Sequence, residues 1–247
     1  MRLEGKTALV TGATSNIGRA IAVAFGAEGA QVVVSGRDPE RGAEVVREIG
    51  NAHFVRAELD GSRAASEALA AEAERLLGGR VDVLVNNSGI YPPATTVTAD
   101  EELFDRIYAV NVKAPFFLTA ALAPAMAARG HGSIVNLGSW VARLGLPVGS
   151  VYASTKGALE TLTRAWAAEF GPSGVRVNAI SPGVVHPATG EPWPGDAMMA
   201  GTPHGSHGTP DAIAHAAVYL ASDESAFVQG AVIDVDGGRT GVAVIAA

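Results

Sequence analysis

The sequence has no cysteine. Disulfides and thiolate metal centres are therefore excluded, while the redox compartment stays open. It lacks a basic segment followed by a long apolar one near its start, and no apolar run reads as long enough to span a bilayer. Neither secretion nor a membrane partner is expected, and the default location is the cytoplasm. Positive charge is also scarce. Lysine and arginine number 18 against 25 aspartates and glutamates, a formal net charge of −7. That balance argues against nucleic acid as a partner, although one local arginine can still hold one phosphate. The six histidines are scattered, with no pair at ligand spacing on one helix, so no metal site is expected.

What remains is a chain of 247 residues, 48% hydrophobic and 17% charged. It is globular in composition, long enough to bury a substantial core, and reads as one domain over residues 1–247. Apolar runs of strand length fall at 7–10, 31–35, 53–59, 81–85, 133–137, 175–180 and 231–235. Helical patterns lie between them at 18–29, 39–49, 64–77, 101–126, 152–170 and 211–220, with Pro115 and Pro124 as interruptions of the fourth. Continuous apolar strands alternating with helices predict a parallel sheet covered on both faces. The expected fold class is a three-layer α/β/α, Rossmann-type, doubly wound fold with seven parallel strands. Residues 184–209, rich in glycine, proline and histidine, break the rhythm and read as a substrate lid.

Between the first strand and first helix runs Thr11-Gly12-Ala13-Thr14-Ser15-Asn16-Ile17-Gly18. A tight turn here would aim a helix N-terminus, with its free N–H groups and positive dipole end, at a pyrophosphate. Gly12 allows the turn and Gly18 close helix–strand packing. Asn16 stands where glycine is common, and asparagine tolerates a left-handed backbone. An ordinary glycine-rich turn would look the same.

Taken together, several motifs resemble the short-chain dehydrogenase/reductase family. The cradle is similar to its TGxxxGxG, with Asn16 as the departure, and Asn86-Asn87-Ser88-Gly89 to its NNAG. Asn111, Ser139, Tyr152 and Lys156 fall in the order and spacing of its catalytic tetrad. Pro182-Gly183 resembles its PG motif. Thr209-Pro210, Leu220-Ala221-Ser222-Asp223, Gly230 and Val235-Asp236-Gly237-Gly238 resemble its C-terminal signatures. The spread is most similar to bacterial 3-oxoacyl-carrier-protein reductases and their small-ketone relatives. The resemblance implies hydride transfer between a nicotinamide dinucleotide and a carbonyl or secondary alcohol carbon. It gives Tyr152 the proton transfer, Lys156 the nicotinamide ribose, Ser139 the substrate oxygen, and Asn111 a water linking Lys156 to solvent. It also implies a homotetramer or homodimer built through the helices around Asn111 and Tyr152. The competing reading is a dinucleotide-binding module that senses redox state without catalysis.

The residues suit that chemistry. Tyr152 and Lys156, four apart on a helix, share one face. A free phenol has a pKa of about 10, too high for a base at neutral pH. An ammonium at about 4 Å and an effective dielectric near 20 contributes about 4 kcal/mol. That matches a shift of about 3 pKa units, so the ammonium is expected to bring the phenol near working pH.

For the cofactor, an acidic residue ending the second strand would accept ribose hydroxyls and repel a 2′-phosphate. Gly36 occupies that position and Arg37 follows. Arginine pairs with a 2′-phosphate and stacks on adenine, so NADP(H) is favoured over NAD(H). Ser15 counts the other way, because NADP-preferring relatives often carry a base there. The resemblance adds Glu58 and Leu59 at the adenine, and Asn87, Gly89 and Val185 along the groove. It expects a threonine near Pro187 for the carboxamide, for which Thr189 is the substitute. Tyr91, Trp140, Val141, Leu146, His186, Trp193, Met198 and Met199 are candidate pocket walls. They are mostly apolar, so an uncharged or weakly polar ketone is expected; Trp140 and Trp193 could equally pack in a core or an interface. Arg129 and Arg164 could meet an acidic carrier protein, but Ser173 stands where carrier-using relatives often have arginine.

Overall fold

The structure, a computed structural model, describes residues 1–147, 149–186 and 194–243. Pro187, Thr189, Trp193 and the tail residues Val244 and Ile245 therefore lie outside the described residues. The apolar runs form seven strands: Thr7–Val10 (β1), Gln31–Gly36 (β2), Ala52–Arg56 (β3), Val83–Asn86 (β4), Gly132–Leu137 (β5), Val175–Pro182 (β6) and Val232–Val235 (β7). All pair in parallel in the order β3-β2-β1-β4-β5-β6-β7. Every residue of β1 and β4 is buried, whereas the edge strands β3 and β7 are half-exposed. The central strands face helices on both sides, which is why they read as unbroken apolar runs.

The helices are Asn16–Ala27 (α1), Pro39–Ile49 (α2), Arg63–Leu76 (α3), Glu101–Tyr108 (α4), Ala114–Arg129 (α5), Ser150–Phe170 (α6) and Pro210–Ala221 (α7). One face of the sheet buries Ile21, Phe25, Val45, Ile213 and Val218 from α1, α2 and α7. The other buries Leu69, Leu118, Leu122, Leu159 and Trp166 from α3, α5 and α6. The chain leaves β1 in one direction through β2 and β3, then returns to the other side of β1 as β4. A crevice opens at the carboxyl ends of β1 and β4, where such sheets bind their ligands.

Several boundaries differ from the sequence reading. The third strand stops at Arg56, and Ala57 N–H donates to Gly36 O at 3.0 Å. Glu58 and Leu59 consequently lie in the loop beyond. The helical pattern expected over 101–126, long or broken at its prolines, is broken elsewhere: it comprises α4, a π-helical turn over Ala109–Lys113, and α5. Pro115 falls in the first turn of α5, where its missing N–H costs nothing, and Pro124 is accommodated inside the helix. Counted as one segment, Glu101–Arg129 holds an 18-residue window of mean hydropathy 1.3, long and apolar enough by composition to cross a bilayer. That corrects the expectation that no run qualifies, but 44% of its apolar window is buried inside the fold. Residues 184–209 are not without structure where described. Val185 forms a parallel bridge to Gly208, and Pro194–Met199 makes a 3-10 turn.

Candidate active site

The loop after β1 has the geometry of an anion cradle. Gly12 has φ +63° and Asn16 φ +45°, the left-handed conformation that asparagine can adopt. Ser15 occupies the N-cap of α1 but its hydroxyl makes no capping bond. The first amides of α1 are thus presented to the crevice. A Cβ on Gly18 would stand 2.2 Å from Gly12 O and 2.4 Å from Asn87 Nδ2, so only glycine fits. Asn87 Nδ2 donates to Thr11 O at 2.8 Å and Gly12 O at 3.1 Å. Thr11 Oγ1 accepts from the Asn87 and Ser88 amides, both at 3.0 Å. The loops after β1 and β4 are thereby joined. A turn with close backbone approach and an uncapped helix start fits the pyrophosphate of a dinucleotide.

Beneath it, Asn86 Nδ2 donates to Asn136 Oδ1 at 2.9 Å, and Asn136 Nδ2 to Thr163 Oγ1 at 2.8 Å. These buried amides tie the ends of β4 and β5 to α6.

Asn111 projects from the π-helical turn. Its Oδ1 accepts from Ile90 N–H at 2.8 Å, and its Nδ2 donates to Ile90 O at 2.9 Å and Thr155 Oγ1 at 3.1 Å. Extra-wide turns of this kind re-aim a side chain within a helix. On α6, Thr155 Oγ1 donates to Tyr152 O at 2.7 Å, and Lys156 Nζ donates to Leu137 O at 2.7 Å. Lys156 Nζ lies 5.6 Å from the Tyr152 ring centroid. Asn111, Ser139, Tyr152 and Lys156 are therefore gathered at the carboxyl ends of β4 and β5.

The electrostatics correct one expectation. Burial pushes the Tyr152 phenol up to about 12, and a hydrogen bond with the Ser139 side chain only partly opposes it. Burial also pulls Lys156 down to about 8. Desolvation, not attraction to the ammonium, dominates the phenol. The ammonium instead spends its hydrogen bond on Leu137 O. At pH 7 the phenol holds its proton and the ammonium is mostly charged.

Arg37 is exposed at the end of β2. Its neighbour Asp38 caps α2 through Glu40 and Arg41 N–H and pairs with Arg41 at 2.5 Å, so it does not neutralise Arg37. Gly36 is tightly enclosed: a Cβ there would stand 2.5 Å from Thr14 Cγ2. Glu58 is exposed and Leu59 buried beyond β3. Gly89 follows Ser88 in the loop after β4, and Ile17 is half-buried in the first turn of α1. Gly183 N–H donates to Val235 O at 3.0 Å, holding the Pro182-Gly183 turn against β7.

Among the candidate pocket walls, Tyr91 is 74% exposed, with its ring centroid 5.9 Å from that of Tyr152. Leu146 and Met198 are also exposed. Trp140 and Met199 are buried together with Val184, and Val141 packs against that cluster. Arg239 stacks over Trp140 at 4.2 Å and donates to Met198 O. His186 meets His207 edge to face at 5.8 Å, and His207 pairs with Asp196. The sequence reading missed Arg143, Glu160, Thr155 and Arg239. The signal for Glu160 and Thr155 was their spacing on α6: Glu160 stands four residues after Lys156 and Thr155 three after Tyr152.

Residues 12–240 match a family model described as enoyl-(acyl carrier protein) reductase. The chain is 36% identical to the 3-oxoacyl-[acyl-carrier-protein] reductase of Thermotoga maritima, over 96% of this chain and 99% of that protein. It is 40% identical to galactitol 2-dehydrogenase (L-tagatose-forming) of Cereibacter sphaeroides, covering 97% and 96%. Among solved structures, a short chain dehydrogenase/reductase family protein matches with TM-score 0.90 and 48% identity, covering 98% and 100%. A 7α-hydroxysteroid dehydrogenase complexed with NADH and 7-oxo glycochenodeoxycholic acid matches at TM-score 0.90 and 36% identity, covering 96% and 95%. A gluconate 5-dehydrogenase from Burkholderia cenocepacia in complex with NADP and tartrate matches at 0.90 and 32%, covering 98% of each chain.

Proposed function

This chain belongs to the short-chain dehydrogenase/reductase family and is an NAD(P)-dependent oxidoreductase acting on CH–OH and C=O groups, and from that premise we propose that it reduces a small, uncharged or weakly polar ketone with NADPH, Tyr152 giving the proton. The observation that carries the reading is the state of the phenol. Tyr152 is held one helical turn before Lys156, hydrogen-bonded with Ser139, and buried so that its pKa rises to about 12. It keeps its proton at neutral pH and can donate it to an alkoxide forming beside it.

When bound, the reduced nicotinamide supplies the hydride. Gly12, Thr14, Ser15, Asn16, Ile17 and Gly18 would hold the pyrophosphate, Asn87 and Gly89 the groove, and Glu58 with Leu59 the adenine. Pro182, Gly183 and Val185 would close the nicotinamide end, and Lys156 would donate to the ribose. Ser139 would hydrogen-bond the substrate oxygen. Asn111, fixed by both polar groups of Ile90, would steady Lys156 through water. Arg37, which pairs with no carboxylate among the described residues, supports NADP(H) through a 2′-phosphate, and Gly36 leaves no acid at the end of β2 to oppose one. Tyr91, Trp140 and His186 would border the substrate, and residues 184–209 would act as its lid within a single catalytic domain. A homotetramer or homodimer through the helices around Asn111 and Tyr152, namely α4, α5 and α6, is supported by Phe104 and Phe116, 44% and 42% exposed. A cytoplasmic location belongs to the same proposal.

A spectrophotometric screen of simple ketones with NADPH and NADH tests the reading. Tyr152→Phe should lower kcat about 100- to 10,000-fold while NADPH still raises the melting temperature. Undiminished turnover in Tyr152→Phe would refute the mechanism. A cofactor-induced thermal shift without turnover of any ketone would favour the non-catalytic module instead.

A further inference from the structure

Ser139 begins a short turn just beyond the carboxyl end of β5. Gly138 N–H donates to Ile180 O at 2.8 Å, which fixes the chain just before it. Trp140–Ala142 then forms a 3-10 turn, with Ala142 N–H donating to Ser139 O at 3.0 Å and Arg143 N–H to Trp140 O at 3.1 Å. The Ser139 hydroxyl accepts a long bond, 3.5 Å, from Val141 N–H and is hydrogen-bonded with the Tyr152 side chain. The far end of the turn is held separately, by a side chain.

That side chain belongs to Arg143. Its NH1 donates to Asp234 Oδ2 at 2.9 Å, and its NH2 to Ser181 Oγ at 2.9 Å and to Asp234 Oδ1. Ser181 and Asp234 are register partners on β6 and β7, so one planar guanidinium forks across two adjacent strands. A lysine cannot reproduce that geometry. From the opposite side Glu160 Oε1 approaches Arg143 Nε to 3.8 Å. Glu160 lies one turn beyond Lys156 on α6 and is 6% exposed. Burial raises its pKa, and the Arg143 charge opposes that rise. Among the described residues its Oε1 makes no hydrogen bond, and the charges of Arg143 and then Arg164 favour its ionised form. Arg143 thus ties the Ser139 turn to β6, β7 and α6 at once.

We propose that Arg143 is a positioning residue, fixing the Ser139 hydroxyl relative to the Tyr152 phenol and so to the substrate oxygen. It touches neither reacting group and acts through the turn between them. The inference rests on the reductase reading above.

The test is a double-mutant cycle. It is read as NADPH oxidation with the simple ketone that the wild-type enzyme turns over fastest, beside NADPH fluorescence titration and thermal unfolding. Ser139→Ala should lower kcat about 100-fold and Arg143→Ala about tenfold, with NADPH affinity within about twofold of wild type. Combined, the two changes should cost no more than Ser139→Ala alone, because the position of a missing hydroxyl cannot matter. Arg143→Lys should recover only part of kcat. Losses that multiply to about 1,000-fold, or NADPH binding that falls in step with kcat, would overturn the proposal in favour of a purely structural arginine. Should Arg143→Ala fail to fold, Ser181→Ala removes one arm of the fork and carries the same cycle, with the same non-additivity required. A wild-type enzyme that binds NADPH but turns over no ketone would instead overturn the reductase reading, and this inference with it.

Discussion

At the scale of single residues, burial sets the chemistry. The Lys156 side chain titrates near 8 in the folded protein against 10.5 for an ordinary lysine. Its depressed pKa means that folding disfavours the ammonium. The penalty is fully present below pH 8 and is relieved as pH rises from 8 towards 10.5. It amounts to about 3 kcal/mol, against which the bond to Leu137 O returns about 1–2 kcal/mol. Lys156→Met should therefore abolish turnover yet raise the thermal midpoint at pH 7 by about 3–6 °C. A lowered midpoint would contradict the account. In the wild-type enzyme, kcat/KM for reduction should fall as pH rises through about 8, with the Lys156 ammonium, while Tyr152 stays protonated. A pH–rate profile flat from 7 to 9 would contradict this. The pairing of Tyr152 with Lys156 was legible from their spacing of one turn. The direction of the phenol's shift was not, because spacing reports proximity and says nothing of how much water is excluded.

At the scale of elements, the end of β2 and the start of α1 are locked sterically. Thr14 fills the space that any side chain at position 36 would need. Gly36→Asp alone should therefore impair both cofactors rather than convert the enzyme to NADH. Gly36→Asp with Thr14→Gly should improve NADH use about tenfold over Gly36→Asp alone, a difference of about 1.4 kcal/mol, as read in KM for each cofactor. Conversion by Gly36→Asp alone would show that Thr14 is no barrier. The left-handed backbone at Asn16 was legible, since few other side chains accept it. The π-helical turn at Ala109–Lys113 was not. Its apolar spacing resembles that of an ordinary helix, and the bonds that Asn111 makes from it go to Ile90, distant in sequence. The end of β3 was overrun for a related reason: Glu58 and Leu59 continue the composition of a strand, but β2 offers no further partner after Gly36.

At the scale of the whole molecule, the alternation of strand and helix was enough to give seven parallel strands and their two apolar faces. The Arg143 cluster was invisible, because its members come from the loop after β5, from β6, β7 and α6, and meet only when the sheet is assembled. The same assembly leaves Phe104 stacked on Tyr108 at 4.9 Å and Phe116 beside Trp166 at 6.1 Å, with both phenylalanines facing outward. Phe116→Glu should reduce the particle mass measured by light scattering to that of one 25.1 kDa chain if the oligomer forms there, since a buried unpaired charge is strongly disfavoured. A variant mass still above that of one chain would place the interface elsewhere, and a wild-type mass of one chain would refute the oligomer. One small feature has a larger reach. Asn87 reaches from the segment after β4 to the carbonyls of Thr11 and Gly12, across the seam where the two halves of the sheet meet. A receptor stitched together in advance has little ordering left to do when its ligand arrives. Its binding heat capacity should then reflect only the surface that the nucleotide covers, and encounter, rather than rearrangement, should govern how fast it loads.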